Sequence, residues 1–156
     1  MPEKQTIERA KKAKRRGKSA STQAGEFVRE EIHHIRQGKH GARSAKQAIA
    51  IGLSKARRTG VDLPPPKKGT TSEKTRRSAA RSYELGREGK RPSARRSRAR
   101  LQALKREPRR AASKKALAKQ ARTAAQRRKR GTHSSSRFRA GSARGRKRTA
   151  KRARHG

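Results

Sequence analysis

The residues best suited by type and spacing to do chemistry are Gly38-Lys39-His40-Gly41-Ala42-Arg43-Ser44, a glycine-bearing loop that leads into a helix start at Ser44. A helix N-terminus offers free backbone N–H donors and the positive end of the peptide dipoles, so it attracts anions. Lys39, Arg43 and Lys46 add formal charge around it, His40 and Ser44 add donors, and Arg57 and Arg58 bring two guanidinium groups at the far end of the same helix. The chemistry this set supports is phosphate binding. The pattern Gly-x-x-x-x-Gly-Lys-Ser/Thr is absent, which excludes a nucleotide-binding loop of that kind. The loop reads equally as a plain interhelical turn, and at this level both readings stand.

Further along the chain, Arg76-Arg77, Arg95-Arg96 and Arg127-Arg128-Lys129-Arg130 extend the set of expected phosphate contacts. Ser78 and Ser97 follow two of these pairs and resemble basic-directed phosphorylation sites, which would lower the local charge. Catalysis has no comparable support, and no enzyme is expected. His33, His34 and His40 are the clustered histidines, but with no cysteine in the chain and no suitably spaced acid pair they raise no expectation of a metal or other cofactor. Glu31 falls inside an apolar helical stripe, where pairing with a basic residue of the next helix is the expected role.

Two helices must position the loop. From about Ala24 to Gln37, the positions Ala24, Val28, Ile32 and Ile35, with Phe27 at the edge, recur at helical spacing. Gly38 stands where a left-handed cap is wanted. Ser44 and Gln47 form a capping box for a second helix. Ala45, Ile49, Gly52, Leu53 and Ala56 share one of its faces, small residues alternating with large, while Ile51 points away from that stripe. Gly60 ends the helix, Val61 is expected to pack back on it, and Pro64-Pro65-Pro66 cannot continue it. Residues 24–60 therefore read as an antiparallel helical hairpin. At about 40 residues such a unit is marginal alone, so a homodimer through residues 24–60, or bound nucleic acid, would help to order it.

The surroundings of that hairpin are dominated by charge. Lys and Arg number 50 against 10 Asp and Glu in 156 residues, a net charge of +40. Strong core formers make up roughly a tenth of the chain, where about a fifth marks the boundary of disorder. The expected organisation is a basic arm (1–21), the hairpin (22–62), a Pro/Lys linker (63–70), an Ala/Arg/Lys-rich tail (71–130) and a Gly/Ser/Arg-rich flexible tail (131–156). Net charge is +6 over residues 1–21, +4 over 22–62 and +30 over 63–156. Three tail stretches keep helical grammar, from Ser72 to Gly86, Ser93 to Arg106 and Ser113 to Arg130. Like charges repel along them, so they are expected to be mostly disordered alone and helical once phosphates cancel the charge. The fold class is thus mostly disordered, and all-α where ordered.

The run from Ser44 to Gly60, Ser-Ala-Lys-Gln-Ala-Ile-Ala-Ile-Gly-Leu-Ser-Lys-Ala-Arg-Arg-Thr-Gly, resembles a motif of a family of small, uncharacterised basic bacterial proteins. The resemblance extends over about residues 26–66, and the tail is similar to histone H1-like nucleoid proteins in composition. It implies a bacterial source and DNA binding, with no mechanism attached. Members often carry an acid where this chain has Lys55, so a contact made by that acid does not transfer.

The leading expectation is a DNA-binding, nucleoid-associated protein of histone H1-like type, which neutralises phosphates without reading sequence. Duplex DNA carries about one charge per 1.7 Å, so +40 matches roughly 20 base pairs. With only two Phe, one Tyr and no Trp, aromatic stacking on single strands has little to work with. A helix-turn-helix reader is disfavoured, because the Gly38–Arg43 connection is long and a third supporting helix is not evident. The alternatives are a binder of structured RNA or of the ribosome, and a protein-interaction hairpin with a basic address tail. No membrane partner is expected, and the expected location is the cytoplasm, at the nucleoid.

Overall fold

The computed structural model describes residues 2–90 and 93–130, and every regular element among them is helical. The expected flexible tail, 131–156, lies outside the described residues. The chain divides into two compact units, Met1–Leu117 and Ala118–Gly156. In the first, five α-helices occur in the order α1 (Lys4–Arg15), α2 (Ala20–Arg36), α3 (Ala45–Arg58), α4 (Glu73–Arg87) and α5 (Ala94–Lys105), followed by a 3-10 turn at Arg109–Ala112. Residues 114–117 are also helical, with Ser113 Oγ accepting from Ala116 N at 3.2 Å. In the second unit residues 118–130 are helical.

Local chemistry explains the limits of the central pair. Ser19 caps α2, its hydroxyl accepting from Thr22 N at 3.4 Å, so the helix begins four residues before the apolar stripe that marks it in sequence. At the other end Gly38 adopts φ 79°, and Gly38 N and Lys39 N donate to Ile35 O and His34 O. Ser44 Oγ accepts from Gln47 N at 3.2 Å, and Gln47 Oε1 accepts from Arg43 N at 2.7 Å, a capping pair displaced by one residue from the usual reciprocal box. Past α3, Val61 donates its N–H to Ala56 O and is buried.

α2 and α3 run antiparallel, since Ala56 packs with Ala24 and Phe27, and Ala48 with Ile35. Their separation is set by Gly52. A β-carbon there would lie 2.6 Å from Val28 Cα and 3.0 Å from Phe27 O, so only glycine permits this backbone approach. The buried stripe of α3 is accordingly Ala45, Ala48, Gly52 and Ala56, whereas Ile49, Ile51 and Leu53 are half-buried. This corrects the expected face, which had Ile49 at its centre. On α2 the buried line is rotated toward Phe27, Glu31, His34 and Ile35, and Val28 and Ile32 sit at its margin.

The rotation follows from the neighbours. α1 packs on α2 through Thr6 and Ala10, with Ile7 alongside. The expected basic arm is therefore a docked helix over Lys4–Arg15. α4 packs on α3, where Ser54 Oγ and Ser82 Oγ meet at 3.1 Å. The 3-10 turn lies against α2 and α3, and Arg36 Nε donates to Ala112 O at 2.9 Å. Two small apolar clusters result: Ala10, Ala24, Phe27, Ala56 and Val61 in one, and Ile35, Ala42, Ala48, Ala111 and Ala112 in the other. With the flanks of α2 and α3 occupied by the same chain, the size argument for a second copy falls away. Among the described residues no helix is long and apolar enough to cross a membrane.

Candidate nucleic-acid interface

Of the cations around the Gly38–Ser44 loop, Lys39, Arg43 and Lys46 are exposed. Lys39 Nζ is 3.1 Å from Glu3 Oε1, so its charge is partly neutralised. His40 is buried, its Nδ1–H donating to Gly41 O at 3.1 Å and its Nε2 lying 3.2 Å from Glu31 Oε1. The loop donors are not free either: Gly41 N donates to Leu104 O at 2.8 Å and Ala42 N to Pro108 O at 3.1 Å. Glu107 O would lie 1.8 Å from a β-carbon on Gly41, so the segment after α5 covers the loop directly. The expected clamp is thus reduced to its exposed cations and the Ser44 cap. His40 is withdrawn from the phosphate-contact set.

Arg57 is withdrawn as well. It is 7% exposed, and its Nε and a terminal nitrogen donate to Leu63 O at 3.0 Å and Pro64 O at 3.3 Å, tying the proline segment to α3. Burial holds its guanidinium below the ordinary value. Arg58, one residue on, is half-buried and depressed by burial first, then by the nearby charges of Arg100 and Arg81. Those two come from α5 and α4. Arg58 therefore feels the positive charge of one arginine on α4 and one on α5, and neither Arg81 nor Arg100 stood out in the sequence, where they are 23 and 42 residues from Arg58.

The remaining expected contacts divide by partner. Arg76 and Arg77 both reach Glu73, at 2.6 Å and 3.5 Å to Oε1. The Arg76 hydrogen bonds hold the Glu73 carboxyl below its usual range, against an opposing effect of burial. Arg95 and Arg96 on α5 are exposed, as are Arg98 and Arg100, and α5 contains no acidic residue. Arg127 to Arg130 are exposed in the second unit.

Between the two apolar clusters lies a polar layer that the sequence did not signal. Glu31 is fully buried, with Lys55 Nζ at 2.6 Å from Oε2 and His40 Nε2 at 3.2 Å from Oε1. Lys55 is thus the basic partner expected for Glu31. Beside them, His34 Nε2 is 2.8 Å from Glu3 Oε1 and 3.9 Å from Glu30 Oε1, while Glu3 N donates to Glu30 Oε1 at 3.1 Å. The His34 hydrogen bond, followed by that of Lys39, lowers the Glu3 carboxyl to about 2. Glu3 appeared in sequence only as an acid near the N-terminus, and nothing local marks it as a partner of residues more than 25 positions away.

Residues 4–68, which contain α1, α2 and α3, match the model of DUF6496, a family of unknown function. No curated protein and no solved structure matches the chain.

Proposed function

We propose that the chain is a duplex-DNA-binding, nucleoid-associated protein of histone H1-like type, which holds phosphates without reading base sequence. One observation carries the reading: α5 exposes Arg95, Arg96, Arg98 and Arg100 with no acid of its own, and the charges of Arg100 and Arg81 add to the effect of burial in depressing Arg58. Cations held together in one fold repel each other, and an array of phosphates relieves that repulsion. Elsewhere in the unit acids temper the charge, as Glu73 does for Arg76 and Arg77. Exposed Lys39, Arg43 and Lys46 supply secondary contacts, and the basic residues after α5 add phosphate contacts of their own.

In this reading α1, α2 and α3 form the anchor, and phosphate neutralisation stabilises the cationic helices that follow. The α2–α3 hairpin presents no base-reading helix, because α4 covers part of α3.

The test is a salt series with the full chain on duplex DNA of mixed sequence, with structured RNA as competitor. The expected result is affinity that varies little with sequence and falls steeply with salt, with a slope near −0.9 per phosphate neutralised. Affinity insensitive to salt would reject phosphate binding altogether, and clear preference for the RNA would move the assignment to a structured-RNA or ribosomal partner.

A further inference from the structure

We propose that Glu31, His34 and His40 form a binding site for a divalent metal ion of the zinc class. One ligand atom from each lies within 4.8 Å of the other two, and all three residues are buried. Imidazole nitrogen with carboxylate oxygen is the donor set that zinc and its neighbours favour. Bonds of about 2.0–2.1 Å place adjacent tetrahedral ligands about 3.3 Å apart, so Glu31 Oε1 and His40 Nε2, at 3.2 Å, already stand at ligand spacing.

The protonation pattern points the same way. Gly41 O can only accept, so His40 Nδ1 carries a proton. That leaves Nε2 as the nitrogen on the Glu31 side, 3.2 Å from Oε1. A backbone carbonyl that fixes the far nitrogen of an imidazole is also the usual support of a ligating histidine.

The buried oxygens supply an independent sign. Neither oxygen of Glu31 has a partner in hydrogen-bond geometry, although Lys55 and His40 are in ion-pair range, and Glu30 Oε2 is buried without one. The side chains of Glu31 and Glu30 are 1% and 3% exposed, a depth at which an unsatisfied carboxylate is costly. A metal there would pin the loop after α2, through His40, to the middle of α2, between the two apolar clusters.

The test uses the full chain in phosphate-free buffer, with His33, His133 and His155 changed to Asn so that His34 and His40 are its only imidazoles. Zinc chloride is titrated by calorimetry, and the imidazole nitrogens are followed by NMR. The expected result is one zinc per chain, with the ring nitrogens of both histidines shifting together, and an affinity lowered about tenfold or more by adding His40→Ala. Absence of stoichiometric binding, or binding that leaves both rings unshifted, would overturn the proposal and leave the Glu31–His40 contact as a structural one. Should His40→Ala unfold the chain, the ring-nitrogen shifts in the folded parent decide the matter alone.

Discussion

Glu31 shows how one residue shapes the centre of this protein. It occupies the middle of the Phe27–Glu31–Ile35 line that α2 buries, where an apolar side chain would pack more cheaply. Removing its lysine while leaving the carboxylate in place should therefore be expensive. Lys55→Ala is expected to cost about 3–5 kcal/mol in urea unfolding, whereas the double change Glu31→Leu, Lys55→Met should recover most of the loss. A single-variant cost under about 1 kcal/mol would mean that the pair is solvated. A second residue offers a spectroscopic check. Tyr83 is the chain's only tyrosine, and its hydroxyl donates to Asp62 Oδ1, which raises its pKa above 10.0, with burial contributing in the same direction. The stabilisation this bond provides is fully present below pH 10 and is lost as the pH rises through the elevated value. Ultraviolet titration should place the phenolate transition above 10, and Asp62→Asn should return it toward 10.

At the scale of elements, two glycines in α2 and α3 make opposite predictions from the same propensity argument. Gly52 sits against Val28 backbone, so Gly52→Ala drives a β-carbon into atoms that cannot rotate away; overpacking of about 1–3 kcal/mol should exceed the helix-propensity gain of up to about 1 kcal/mol. Gly25, exposed in α2, has nothing within 4 Å of the same position, and Gly25→Ala should stabilise by about 0.5–1 kcal/mol. Thermal midpoints that move in the same direction for both would contradict the close approach. Helix limits were largely legible in sequence. Ser44, Ser72 and Ser113 each cap a helix start as expected of Ser before a helical run, and Gly38 and Gly60 both take positive φ. The face of α3 was misread because its apolar residues are larger outside the contact than within it. α2 demands small residues where it comes closest, and that demand is made by the partner rather than by α3.

For the molecule as a whole, the proposed phosphate binding rests on where charge is left uncompensated. Replacing Arg95, Arg96, Arg98 and Arg100 by Gln should flatten the dependence of log K on log salt by about 0.9 for each phosphate contact removed, without loss of helicity by circular dichroism. The same number of Lys→Gln changes on α1, at Lys4, Lys11, Lys12 and Lys14, provides the comparison. A slope that falls equally for both sets would show that total charge alone governs binding. In that event the convergence of Arg58, Arg81 and Arg100 would have no special part in it.

The sequence by itself determined the net charge, its concentration after residue 62, and the helical character and punctuation of the elements, because these depend on residue counts and on neighbours within a turn or two. Only the tertiary structure decided which loop donors are consumed by the end of α5 and the segment after it, that Arg57 and His40 turn inward, and that exposed Glu3 and half-buried Lys55 meet buried Glu30, Glu31, His34 and His40 in one polar cluster. Those relations join residues up to about 70 positions apart across packed helices. No local periodicity encodes them, since burial and proximity belong to the packing and not to the spacing. The phosphate loop that first drew notice in sequence is for that reason more a covered turn than an open clamp, and its histidine faces the interior.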